Sequence, residues 1–205
     1  MHTALRATSQ TLRTFLQSGF EAAPDLRPFF DAGSGGTMTV ALQTPHEMIR
    51  AGAEGVSVWL YRVIRDDQTL NQLPRRISVT ETLPPPLPLR LHYLVTPLTA
   101  AQTPGGSETE QVILGKVLQL FHDTPRLRGT DLVNELAGTD VELQVRLETM
   151  SLEEITRVWD ALEGSYQLSI SYEVSIVDID SEQQPDRAAP VTVVIPEPMV
   201  RRPTP

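Results

Sequence analysis

The sequence predicts an α+β domain over residues 1–180: a mixed, largely antiparallel sheet covered on one face by helices. Residues 181–205 follow as a linker and an extended C-terminal arm. Three observations carry this. Apolar residues recur at helical spacing in three segments and at strand spacing in five or six others, without regular alternation between the two kinds. Two of the helical segments open on a serine followed three residues later by a glutamate, the sign of a capping box. Beyond Asp180 the chain turns polar and proline-rich, as a linker does.

The first helix is expected near the N-terminus, where Leu5, Leu12, Phe15 and Leu16 fall on one side and Gly19 offers a stop. "DAGSGGTMTVALQTP" then reads as a flexible turn leading into a strand with Met38, Val40 and Leu42 alternating. It opens a strand and carries no lysine, whereas a phosphate-cradling loop follows a strand and opens a helix. "GVSVWLYRVI" is apolar on both faces, which predicts a central strand covered on both sides. A long polar connection with Arg75 and Arg76 leads to "LPPPLPLRLHYLVTP". There Leu87, Leu89, Leu91, Tyr93 and Val95 alternate with Pro88, Arg90, His92 and Leu94, predicting one buried and one polar face. Because proline donates no backbone hydrogen bond, Pro88 predicts that this strand starts at a sheet edge or is unpaired there.

Ser107 and Glu110 mark the start of the second helix, with Ile113, Leu114, Val117, Leu118 and Phe121 as its stripe and Pro125 beyond its end. "VELQVRLETM" alternates as a half-wet strand. Ser151 and Glu154 cap the third helix, whose stripe is Leu152, Ile155, Trp159 and Leu162 and whose stop is Gly164. A last strand carries Tyr166, Leu168, Ile170, Tyr172, Val174 and Ile176 on one face.

Composition bounds the function. The chain has 205 residues, 40% hydrophobic and 21% charged, enough to bury a core without crosslinks. It has no cysteine, which removes disulfides, thiolate metal sites and thiol nucleophiles and suits a reducing compartment. A net charge of −9 argues against nucleic acid or an anionic membrane as the main partner. No stretch approaches the roughly 20 apolar residues that cross a bilayer, and the first residues lack a signal-peptide core, so the expected location is the cytoplasm.

No catalytic constellation emerges. The four histidines, His2, His46, His92 and His122, show no paired helical spacing. A metal site joining His92, His122 and Asp123 is weaker than the plain alternative, a polar strand face and a helix C-terminus. No nucleophile elbow is present, and Asp178, Asp180 and Glu182 lack the glycine and closing glutamate of a calcium loop. The expectation is no enzyme, no metal and no cofactor.

Several separated blocks, in order, carry a resemblance over about residues 5–180: "VSVWLYRVIRDDQTLNQLPRR", "LPPPLPLRLHYLVTP", "ETEQVILGKVLQLFHDTPRLRG" and "SLEEITRVWDALEGSYQLSISYEVSIVDID". Together they resemble the cap, or tail-terminator, proteins of phage-tail-like contractile injection systems. The resemblance implies a tail-terminator-like α+β fold and a hexameric ring that ends the inner tube and anchors the last sheath layer. It implies tube and sheath proteins as partners, cytoplasmic assembly followed by life in the particle, and no catalytic motif. On that footing Val191, Val193 and Ile195 of the arm are candidates to add as a strand to a neighbour, and Arg75 and Arg76 are candidates to meet an acidic partner. The alternatives are a baseplate or spike-adaptor subunit and a small-molecule enzyme. An enzyme predicts a deep pocket with convergent polar groups and a perturbed ionisable group.

Overall fold

A computed structural model describes residues 2–67, 73–78, 80–100 and 105–187. Helix α1 runs Ala4–Ala22, burying Ala4, Ala7, Leu12, Leu16 and Phe20. Gly19 does not end it. The stop is Ala23, which turns extended ahead of Pro24, as a residue before proline must. Gly19 serves packing instead: a Cβ there would lie 2.4 Å from Leu120 Cδ1, so its absence lets another helix approach closely. A one-turn helix α2, Arg27–Phe30, follows and sets the Phe30 ring 4.5 Å from that of Phe20. The glycine-rich segment is ordered, with Asp31 accepting from Gly33 N at 2.8 Å to organise a 3-10 turn over Ala32–Ser34.

Strand β1, Thr39–Ala41, leads to α3, Pro45–Ala51, and then to β2, Gly55–Arg65. The sequence reading passed over α3, although Thr44, Pro45 and Glu47 spell its start: Glu47 N donates to Thr44 Oγ1 and Thr44 N to the Glu47 carboxylate. Two short strands, β3 (Arg75–Arg76) and β4 (Glu81–Leu83), precede β5, Leu87–Leu98. After α4 (Gly106–Asp123) come β6 (Arg126–Arg128), β7 (Glu142–Leu147), α5 (Leu152–Ala161), β8 (Ile170–Ile179) and β9 (Asp186–Arg187).

Six strands form one sheet in the order β1-β2-β5-β8-β7-β6, with β1 parallel to β2 and every other pair antiparallel. The expected mixed α+β architecture is therefore present. Strand β2 is buried on both faces only over Gly55–Val58; its second half runs into solvent. Strand β5 is no edge. It pairs with β2 and β8, and Pro88 stands opposite Asp178. The Pro88 carbonyl accepts from Asp66 N at 2.9 Å. The N and O of one strand residue point to the same side, so the missing donor falls just past the last residue of β2. Leu87 is exposed, so four of the five predicted side chains are buried. A bulge in β8 opposite Arg90 shifts the buried positions from Tyr172 and Val174 to Val177.

One face of the sheet packs on α1 and α4. Val56, Val58, Leu91, Tyr93, Val95, Leu143, Val145, Tyr172 and Val174 meet Leu12, Leu16, Phe20, Ile113, Val117 and Phe121 in the main core. The second face is covered too, contrary to the expectation of helices on one side. Leu94, which alternates with the core residues, lies with Ile155 and Trp159 of α5 in a separate apolar cluster. Ser151 and Glu154 cap α5 as predicted, whereas Ser107 lies inside α4 without capping it. Glu110 reaches back to the end of β5, accepting from Thr99 N and Oγ1. Tyr166 and Leu168 are exposed ahead of β8 rather than part of it. A separate sheet of β3, β4 and β9 carries the polar connection.

Candidate functional site

Two places gather polar groups beyond what packing needs. The first is the second face of the main sheet beside α5. His92 is buried there, not on a wet face, with the Tyr61 ring 6.2 Å away and Glu148 beside it. Its Nδ1 lies 2.9 Å from Glu148 Oε1. The other Glu148 oxygen accepts from Ser171 Oγ at 2.5 Å, and the Tyr61 hydroxyl stands 3.0 Å from Ser171 Oγ. Burial raises the Tyr61 hydroxyl above its ordinary pKa, and the nearby Glu148 charge adds to this against the bond from Ser171. Next along β5, Arg90 holds the buried Asp66 carboxylate through Nε (2.6 Å) and Nη2 (2.5 Å) and reaches Glu173 at 3.5 Å. The Asp66 bond is the main cause that raises the guanidinium pKa.

This network contains serine, histidine and carboxylate, but in an order that does not activate a nucleophile. The carboxylate sits between the hydroxyl and the imidazole, whereas a triad needs the imidazole between hydroxyl and acid. The most perturbed tyrosines are core residues. Burial pushes Tyr93 far up, with its hydroxyl 2.8 Å from Ser9 Oγ, and Tyr172 up to about 12. Two open hollows, of about 710 Å³ beside Glu54 and Glu110 and about 740 Å³ between Leu118, Phe121, Pro125, Leu147 and Tyr172, include none of the network residues.

A metal site joining His92 with His122 and Asp123 was the weaker reading of the sequence, and the structure separates the two histidines. His122 lines the hollow with Tyr172 and Val145, on the main-core face, while His92 lies on the other. The residues that do meet His92 are Glu148 and Glu173. Glu148 falls on the polar side of the half-wet strand alternation, and period two reports which face a residue takes but not what covers that face. Asp178 lies at the end of β8 and Asp180 just beyond it; burial is the first cause that raises the Asp178 carboxyl, with the Asp180 and Asp66 charges adding to it.

The second place is the small sheet. Arg75 and Arg76 form β3, both exposed, opposite Leu83 and Thr82 of β4. On the far side of β4, Asp186 and Arg187 pair with Thr82 and Glu81. The two arginines and the approach to the arm thus share one three-stranded ribbon. Val191, Val193 and Ile195 lie outside the described residues.

Comparison with known proteins concerns the chain as a whole. The family model described as Pvc16 N-terminal domain matches residues 7–193. Among solved structures, the chain is similar to the sheath/tube terminator of the PVC extracellular contractile injection system in its extended state. That match has a TM-score of 0.54 and 19% identity, and it covers 93% of this chain and 64% of that one. It is similar also to the tube-terminating cap of the anti-feeding prophage, with a TM-score of 0.54, 17% identity and coverage of 87% and 62%. The chain therefore spans somewhat less than two thirds of the length of these two proteins. No curated protein sequence matches.

Proposed function

The chain belongs to the Pvc16 N-terminal domain family, and from that premise we propose that it is a cap subunit of a contractile injection particle. In this role it ends the inner tube and holds the last sheath layer. The observation that carries the reading is the fold, shared over 93% and 87% of the chain with a sheath/tube terminator and a tube-terminating cap. The role is structural rather than enzymatic, in keeping with a polar network whose order activates no nucleophile. Six copies close a ring through a heterologous contact that returns on itself. Assembly takes place in the cytoplasm, and the protein then remains part of the particle.

A terminator must offer nothing on which its own sheet can extend, and two features support this. The outer side of β1 is closed by Gln17, whose Oε1 accepts from Val40 N at 3.0 Å. The opposite edge, β6, is three residues long and flanked by the exposed Arg126 and Arg128. We take residues 1–180 as the ring-forming domain and residues 181–205 as the arm. Val191, Val193 and Ile195 add as a strand to a neighbouring subunit or to the sheath, and Arg75 and Arg76 meet an acidic surface beside that exit.

Mass photometry and negative-stain imaging of the purified protein, alone and with tube protein, test the reading. A six-fold mass and rings at tube ends are expected. A strict monomer that stays monomeric with tube protein present overturns it. Removing residues 188–205, which spares β9, should weaken ring or sheath attachment while the circular dichroism spectrum of the domain persists; unchanged assembly removes the role given to the arm.

A further inference from the structure

We propose that His92, Glu148 and Glu173 form a binding site for a divalent transition-metal ion of the zinc type. One potential ligand atom of each residue lies within 4.8 Å of the others. A single ion with ligand bonds of about 2.0–2.2 Å can draw such a set together by small side-chain rotations. The residues come from different elements. His92 is on β5, Glu173 is its register partner on β8, and Glu148 immediately follows β7, its backbone N donating to Ser171 O of β8 at 2.9 Å. Sheet register, not a single loop, brings them together.

The imidazole supplies the second observation. The His92 side chain is 5% exposed, and its Nε2 has no hydrogen-bond partner among the described residues. Glu148 holds the ring at Nδ1, and an ion at Nε2 would satisfy the buried nitrogen left unpaired. The carboxylates retain capacity as well. Glu148 gives Oε2 to Ser171 and turns Oε1 to the imidazole. Glu173 meets Arg90 at a long 3.5 Å, and the short bonds of Arg90 go to Asp66.

Asp66, Glu148 and Glu173 bring three carboxylates to this stretch of the face, where Arg90 contacts Asp66 and Glu173. Arg62 and Arg146 are the register neighbours of His92 and Glu173 on the flanking strands, and Arg146 Nη2 donates to Gln144 at 2.7 Å. One imidazole with two carboxylates suits zinc and its neighbours; magnesium and calcium prefer oxygen alone. Water completes the coordination, and the Ser171–Tyr61 pair orients Glu148 as an outer-shell support. Such an ion ties together β5, β8 and the segment entering α5. No sequence motif announces it, because His92 and Glu148 are 56 residues apart.

The test uses the full chain, free of any affinity tag and stripped with a chelator. Isothermal titration with zinc chloride is expected to show one site per chain, magnesium chloride none, and zinc should raise the melting temperature. Glu173→Gln and Glu148→Gln should each weaken zinc binding about ten-fold or more, while the double variant His46→Ala/His122→Ala binds as the parent does. Glu173 is partly exposed, so its variant is expected to fold, and circular dichroism verifies this. Absence of zinc binding by the folded parent overturns the proposal. So does equal binding by the parent and Glu173→Gln, which assigns the metal to surface histidines.

Discussion

Under α1 and α4 the main sheet presents Val58, Leu91, Tyr93, Val95 and Val174, a surface closed by shape and by loss of water. Under α5 the same strands present Leu94 beside Tyr61, His92, Ser171, Arg90 and Glu173, where only a small apolar cluster is left and pairing of polar groups does the rest. The first face draws on transfer free energy, roughly 1.5–3 kcal/mol for each large side chain fully buried. The second depends on its polar pairs, because removing one partner leaves a desolvated group behind. One sheet therefore has a face that degrades gradually and a face that fails group by group.

The largest expected effect breaks the apolar face. The Phe121 ring lies 4.7 Å from Tyr172 and 5.7 Å from Phe15, and Phe121→Ala should cost about 3–5 kcal/mol in urea unfolding. A loss below about 1 kcal/mol would mean that α4 is not packed as described. The next effect probes the polar face. Arg90→Met removes the guanidinium from Asp66, whose side chain is 1% exposed, and should cost about 2–3 kcal/mol. The figure is below that for a fully buried pair because Arg90 is 25% exposed. The double variant Arg90→Met/Asp66→Leu should recover part of the loss, as pairing but not packing predicts; a purely additive double variant would contradict it.

The smallest effect is electrostatic and lies outside both faces. Bonds from the backbone and side chain of Thr44 and of Ser151 hold the Glu47 and Glu154 carboxyls below their ordinary pKa of 4.5. A carboxyl lowered in the folded state contributes stability above its unfolded pKa and loses it as pH falls through the folded value. The melting temperature should therefore decline between pH 5 and pH 3 (the usual carboxylate range), and less steeply in Glu47→Gln/Glu154→Gln. Identical slopes for the two proteins would remove the capping boxes from the account.

How much was legible in the sequence follows the same division. The start of α5 was readable because a capping box is local: Ser151 and Glu154 bond to each other three residues apart. The alternation of β5 from Leu89 to Val95 was readable because period two is local as well. Tertiary contacts were not. Gly19 looked like a stop because its true reason, Leu120, lies far along the chain on another helix. His92 looked wet because nothing in β5 announces that Tyr61 and Glu148 will meet it on that face. Pro88 suggested an edge or an unpaired start, whereas the fold sets it opposite Asp178 of β8 and bonds its carbonyl to Asp66 N. Of the candidate site residues, Arg75 and Arg76 are exposed on one strand, and what sequence could not convey is that β9 joins them.

That junction has a mechanical meaning. β9 is attached by two residue pairs, Glu81 with Arg187 and Thr82 with Asp186, whereas β8 behind it is stitched to β5 along most of its length. Tension applied to the chain beyond Arg187 meets the short ladder first. Once that ladder opens, residues 183–187 can be drawn out, about 3.3 Å of reach for each residue pulled straight, up to the contact of Glu182 with His2. The small ribbon thus stands ahead of the main sheet on the path along which a pull on the arm would travel.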